Sequence, residues 1–194
     1  MKEFTTENNN KNKLIISLGD PAGIGTEITL KAIASKYLNK NIKPLLVGCK
    51  NNIYKTHSKL IDLGINNVID PKNLDIIDIP LKSKILPGIV DNNTGSASFQ
   101  WLLKAINIIQ EGKAIALVTA PISKIAWHKA GHEFAGQTEL LGKVTNQKTS
   151  MLFTAVSPNN GWRFNTLLVT THIPLNHINN KLTSELIKYK LDVL

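Results

Sequence analysis

Apolar positions in this chain come in runs before they come in stripes. "LIISLG" (14–19) and "PLLVG" (44–48) are continuous apolar stretches, the pattern of strands buried on both faces. Between them, "TEITLKAIASKYL" (26–38) carries Ile28, Leu30, Ala32, Ile33, Tyr37 and Leu38 as a broad helical face. A second helix is expected through "IYKTHSKLIDLG", with Gly64 placed to end it. This β-α-β-α order predicts an α/β fold with a parallel sheet covered on both faces. A less regular middle follows, in which "NVIDP" and "LDIIDIPL" read as short strands punctuated by prolines 71, 80 and 87. The clearest helix is "NNTGSASFQWLLKAINIIQEGK" (92–113). Phe99, Leu102, Leu103, Ile106 and Ile109 form its stripe, Thr94, Ser96 or Ser98 can cap it, and Gly112 stops it. "AIALVTAP" is a further buried strand, "SKIAWHKAG" a short helix and "TELLGKV" the start of another. "SMLFTAV" and "FNTLLVTTHIPL" are expected to pair around the turn "SPNNGW".

Composition narrows the function classes. At 194 residues and 42% hydrophobic content the chain can bury a real core. Its one cysteine, Cys49, excludes an internal disulfide framework and reads as a small core residue. "MKEFTTENNNKNK" has no apolar segment of the kind a signal peptide carries, and residues 1–12 read as a disordered tail. The longest apolar stretch, around "AIALVTAPI", is far short of the ~20 residues a membrane helix needs, so a cytoplasmic protein without membrane contact is expected. The net charge of +9 raises the question of nucleic acid. The lysines are dispersed, however, and Arg163 is the only arginine, the residue type that reads bases and grips phosphates bidentately. A solvated lysine-rich surface with a modest attraction for anionic small molecules fits better than a nucleic-acid interface.

Four stretches carry candidate chemistry. The turn after the first strand runs Gly19-Asp-Pro-Ala-Gly23-Ile-Gly25-Thr26 and matches neither G-x-G-x-x-G nor the P-loop, which needs a lysine after its last glycine. It offers backbone that a ligand can approach closely, and it sets Asp20 at the carboxyl end of a strand, where open α/β sheets bind ligands. A tight turn with a structural carboxylate explains the same pattern equally well. In "VTAPISKIAWHKAG", Thr119 lies at another strand end, Ser123 follows Pro121, and Lys124 opens a helix as a point charge for phosphate; a capping hydroxyl and a surface lysine are the plainer alternative. In "GQTELLG", Gln137 and Thr138 can hydrogen-bond a substrate or simply begin a helix. His172, in "VTTHIPL", is expected at the end of an apolar strand, where metal ligands and general bases sit, with His177 as a second candidate; one histidine alone is not a site. His57, His128 and His132 read as surface or packing residues.

No single motif decides among these alternatives, but the set does. In this order, "GDPAGIGTEI", "NTGSASFQWLLKAI", "VTAPISKIAWHKAG", "GQTELLG" and "VTTHIPL" closely resemble the 4-hydroxythreonine-4-phosphate dehydrogenase family of pyridoxal phosphate biosynthesis, from about Ile15 to the last residue. The resemblance implies a homodimeric, NAD-dependent enzyme with a two-domain fold like that of isocitrate and isopropylmalate dehydrogenases. It implies oxidation of the carbon-3 hydroxyl of a phosphorylated amino acid, 4-phosphooxy-L-threonine, and decarboxylation to 3-amino-2-oxopropyl phosphate. It also implies a divalent cation, Zn²⁺, Mg²⁺, Mn²⁺ or Co²⁺, which would lower the cost of a developing alkoxide. Carried over residue by residue, His172 matches the first of three histidine ligands and Thr138 a substrate-binding threonine. Gln137 stands where the family has histidine, so that position keeps hydrogen bonding but loses titration near neutrality. Asp20, Gly23, Gly25, Thr119 and Lys124 are expected to line the cleft.

The chain ends inside an amphipathic helix, "LTSELIKYKLDVL", and the resemblance implies that a C-terminal part with the remaining ligands is missing. The expected division is a tail (1–12), the N-terminal part of a first α/β domain (13–118) and the start of a second (119–194). The 194 residues alone are expected to be inactive. A dehydrogenase of erythronate or threonate phosphate, or an inactive truncated remnant, stands as the alternative.

Overall fold

The structure, a computed structural model, describes residues 12–193; the expected tail lies almost wholly outside that range. Two compact units divide at Ala135 and Gly136.

The first unit is built on four parallel strands: β1 (Lys13–Ser17), β2 (Lys43–Gly48), β3 (Asp75–Asp78) and β4 (Ala116–Thr119), in the order β3-β2-β1-β4. Its helices are α1 (Gly25–Ala34), α2 (Lys50–Asp62), α3 (Asn92–Gln110) and α4 (Lys124–Lys129). The continuous apolar strands supply the core as expected, with Ile15, Leu46 and Val47 fully buried together with Leu30, Ile53 and Trp101. The Trp101 indole N–H also finds a partner, donating to the Ile79 carbonyl at 3.1 Å. Register places Ser17 opposite both Val47 and Thr119. The chain therefore steps outward from β1 to β2 and β3, then returns to the other side of β1 for β4. The crevice between the β1 and β4 ends is the topological switch point, the place where open α/β sheets bind ligands.

Several local expectations shift. α1 ends at Ala34 rather than at Leu38 because Ser35 turns extended (ψ 142°) and its hydroxyl accepts the Tyr37 N–H. "NVIDP" makes no strand. Asp70 accepts the Lys72 N–H at 2.9 Å and starts a 3₁₀ turn, Pro71–Asn73, in which Pro71 supplies a preset φ. α3 is capped one residue before the expected stretch, by Asp91, whose carboxylate accepts the Thr94 N–H while Thr94 Oγ1 accepts the Asp91 N–H. β4 is apolar but not buried. It is one of the sheet's two edge strands among the described residues, and Val118 is 45% exposed along an apolar groove of about 330 Å³ bordered by α1 and by Leu14 and Ile16 of β1.

The first unit runs to Ala135. α4 packs on α3, with Trp127 fully buried, edge-on to Phe99 at 5.2 Å and donating its indole N–H to Ser98 Oγ at 2.9 Å. His132 stacks on Phe99 with ring centroids 3.6 Å apart, the packing role expected of it. Residues 119–135 are held to the first unit by these contacts.

The second unit holds α5 (Gln137–Thr145), an antiparallel hairpin of β5 (Leu152–Val156) and β6 (Arg163–Leu167), α6 (Ile178–Lys181) and α7 (Ser184–Leu191). The hairpin turns where "SPNNGW" predicts. Every residue of β5 is exposed.

Candidate functional site

The β1–α1 turn is built by close packing. Asp20 N–H donates to the Pro121 carbonyl at 2.9 Å and Ala120 N–H to the Ser17 carbonyl at 2.9 Å, which binds the loops after β1 and β4 to each other. Gly19 takes φ +69°, and a Cβ there would run into the Pro121 carbonyl oxygen. A Cβ on Gly25 would strike the Leu18 carbonyl oxygen in the same way. Both glycines are required by backbone approach. Gly23 differs, since an added Cβ would meet only ordinary contacts to Asp20 at 3.4 Å or more, and the residue is exposed. Gly23 and its neighbour Ile24, 59% exposed, form the open lip of the turn.

Asp20 is 7% exposed, and its Oδ1 accepts the Ala22 N–H at 2.9 Å. Burial pushes its carboxyl above the ordinary carboxylate value; the Ala22 hydrogen bond opposes that rise and the charge of Asp91 adds to it. Asp91 is the residue that sequence reasoning missed here. The segment before α3 folds back on the turn, with Gly88 N–H donating to the Ala22 carbonyl at 2.8 Å. The available signal was the Asp-x-x-Thr spacing of a reciprocal cap.

On the other side of the switch point, Thr119 ends β4 and borders the apolar groove. Ser123 is a cap, its Oγ accepting the Ala126 N–H at 3.2 Å, so the plainer reading of that hydroxyl holds. Lys124, the first residue of α4, is exposed and makes no ion pair among the described residues. Asp20, Gly23, Gly25 and Thr119 thus follow or end β1 and β4 at one end of that strand pair, and Lys124 begins the helix after β4.

In the second unit, Gly136 precedes α5, whose first two residues are Gln137 and Thr138, both half-buried. No side chain caps this helix, and the Thr138 hydroxyl has no hydrogen-bond partner among the described residues. His172 does not end a strand. β6 stops at Leu167, and His172 lies exposed in the loop beyond it with φ +57°. A left-handed non-glycine residue costs on the order of 1–2 kcal/mol and marks a position worth a functional hypothesis. His177 closes a 3₁₀ turn, Leu175–His177. No group of three or more His, Cys, Asp or Glu side chains converges among the described residues. The described residues alone supply no three-ligand set for a divalent cation, and the β1–α1 turn does not carry the dinucleotide fingerprint. Cys49 is buried. No described helix is long and apolar enough to cross a membrane.

The chain's relatives carry this geometry toward a family. It is 47% identical over 183 residues to the 4-hydroxythreonine-4-phosphate dehydrogenase of Synechococcus sp. (strain RCC307), covering 94% of this chain and 55% of that one. It is 34% identical over 175 residues to the D-threonate 4-phosphate dehydrogenase of Pectobacterium atrosepticum, covering 84% and 51%. The crystal structure of 4-hydroxythreonine-4-phosphate dehydrogenase from Klebsiella pneumoniae superimposes with a TM-score of 0.78 at 27% identity, covering 96% of this chain and 58% of that one. The chain spans about half the length of the curated relatives it matches. The family model of the pyridoxal phosphate biosynthetic protein PdxA matches residues 30–194, and the chain belongs to that family.

Proposed function

We propose that the protein formed with this chain is an NAD-dependent 4-hydroxythreonine-4-phosphate dehydrogenase. It would oxidise the carbon-3 hydroxyl of 4-phosphooxy-L-threonine and release CO2 to give 3-amino-2-oxopropyl phosphate for pyridoxal 5'-phosphate synthesis. The observation that carries this proposal is the match, across nearly the whole chain, to relatives named for that dehydrogenase. The same proposal includes a homodimer in the cytoplasm and a two-domain architecture like that of isocitrate dehydrogenase, with first-domain residues 13–118 and second-domain residues from 119 onward.

The roles proposed for this chain's own residues follow from their chemistry. Thr138 donates its unspent hydroxyl to substrate, and the Gln137 amide beside it is of a kind that both donates and accepts. Lys124 meets the substrate phosphate as a point charge. Asp20 fixes the turn through Oδ1 and leaves Oδ2 for a substrate donor, while Gly23 adds no side chain to the lip and Gly25 lets α1 begin against the Leu18 carbonyl. His172 supplies one nitrogen to a divalent cation.

A second substrate class is favoured by two observations: Gln137 in place of the family's histidine, and a relative named for D-threonate 4-phosphate. An amide can face a hydroxyl as readily as an ammonium group. The test is growth of a bacterium that lacks this dehydrogenase and requires pyridoxine. The chain fused in frame to the C-terminal portion of the Synechococcus sp. (strain RCC307) relative is expected to restore growth, and the 194 residues alone are not. Failure of a soluble, folded fusion would count against the proposal and for an inactive remnant.

A further inference from the structure

One strand away from the switch point, a cavity of about 670 Å³ opens at the carboxyl ends of β2 and β3, within the size range of small-molecule sites. Its lining includes Asn51, Asn52 and Lys55 of α2, Ser83 and Lys84 of the loop after β3, and Asp78 at the end of β3, most of them exposed. The acid is engaged, since Asp78 Oδ1 accepts the Lys50 N–H at 2.8 Å. The donors are not. Lys55 and Lys84 make no ion pair among the described residues, and the side-chain amides of Asn51 and Asn52 and the Ser83 hydroxyl make no hydrogen bond there. Leu81 and Ile85 add an apolar wall.

We propose that this cavity binds a small phosphorylated anion, with Lys55 and Lys84 on the phosphate oxygens, Asn51, Asn52 and Ser83 as hydrogen-bond donors, and the Leu81–Ile85 wall against the organic part. Two lysines facing one engaged carboxylate leave the lining net positive, and a lysine ammonium meets phosphate as a rotatable point charge. None of these residues belongs to the set proposed for the dehydrogenase reaction, so the two proposals fail independently.

The experiment is a titration of the isotope-labelled chain with pyrophosphate, followed by backbone amide resonances. Saturable shifts confined to residues 49–55 and 78–85 are expected. Lys55→Gln and Lys84→Gln together should weaken the affinity at least tenfold, whereas Lys36→Gln, an exposed lysine outside the cavity, should leave it unchanged. Absence of saturable binding would overturn the proposal. So would shifts centred on residues 19–25 and 119–124, or equal weakening by Lys36→Gln.

Discussion

The turn after β1 and the loop after β6 both carry candidate site residues, yet they are held in opposite ways. Around Asp20, bonds to Pro121 and Ala22 and the close approaches of Gly19 and Gly25 determine the backbone from within the first unit. Around His172, the preceding hairpin exposes both faces of β5, with Phe153 57% and Leu152 46% exposed, and the histidine itself is left-handed. A two-stranded hairpin is marginal in water without a partner surface. The contrast teaches that packing dictates residue choice in the first region, while in the second the chain's own contacts leave residue choice much freer.

Tryptophans give the largest break in that comparison. Trp127, fully buried with its indole N–H on Ser98, should cost about 3–5 kcal/mol when changed to alanine. Trp162, 61% exposed, should cost less than about 0.5 kcal/mol, both read from urea midpoints at constant slope. Next come the paired glycines. Gly25→Ala drives a methyl into the Leu18 carbonyl and should cost ~3 kcal/mol, whereas Gly23→Ala should stay within ~0.5 kcal/mol because its Cβ meets only ordinary contacts. Equal midpoints for the two variants would remove the packing account of the turn.

His172→Gly sharpens the other side. Relief of the left-handed conformation should leave stability unchanged or raise it by up to ~1 kcal/mol, while the fused protein loses activity. A stability loss above ~1 kcal/mol would make His172 a structural residue.

The smallest expected effect is on Asp20. Its carboxyl is raised in the folded state, chiefly by burial, so its contribution to stability is most favourable below the unfolded value and is lost as pH rises through the folded value. Asp20→Asn keeps an acceptor for Ala22 and should raise the melting temperature at pH 7. The advantage should shrink as pH falls toward 4. A pH-independent difference would contradict the assigned cause.

Much of the first unit was legible because its signals are local. Continuous apolar strands and a striped helix need no knowledge of partners to be read, and β1, β2, α2 and α3 follow from them. β4 was misjudged as buried because an apolar run has the same composition in a central strand and at an edge. The packing of α4 on α3 was not legible because the Trp127–Ser98 bond joins residues 29 apart in sequence. At the candidate site, the position of Asp20 at a strand end could be read from the turn, but its pairing with the loop at Pro121 depends on strand order. Asp91 went unseen because what makes it matter is proximity to Asp20 across the fold.

The most direct test of the central claim is NADH formation by the purified fusion protein with 4-phosphooxy-L-threonine and with D-threonate 4-phosphate, in the presence of divalent cation. The account predicts a higher kcat/KM for 4-phosphooxy-L-threonine. Preference for D-threonate 4-phosphate, or no NADH with either substrate from a folded protein, would contradict it.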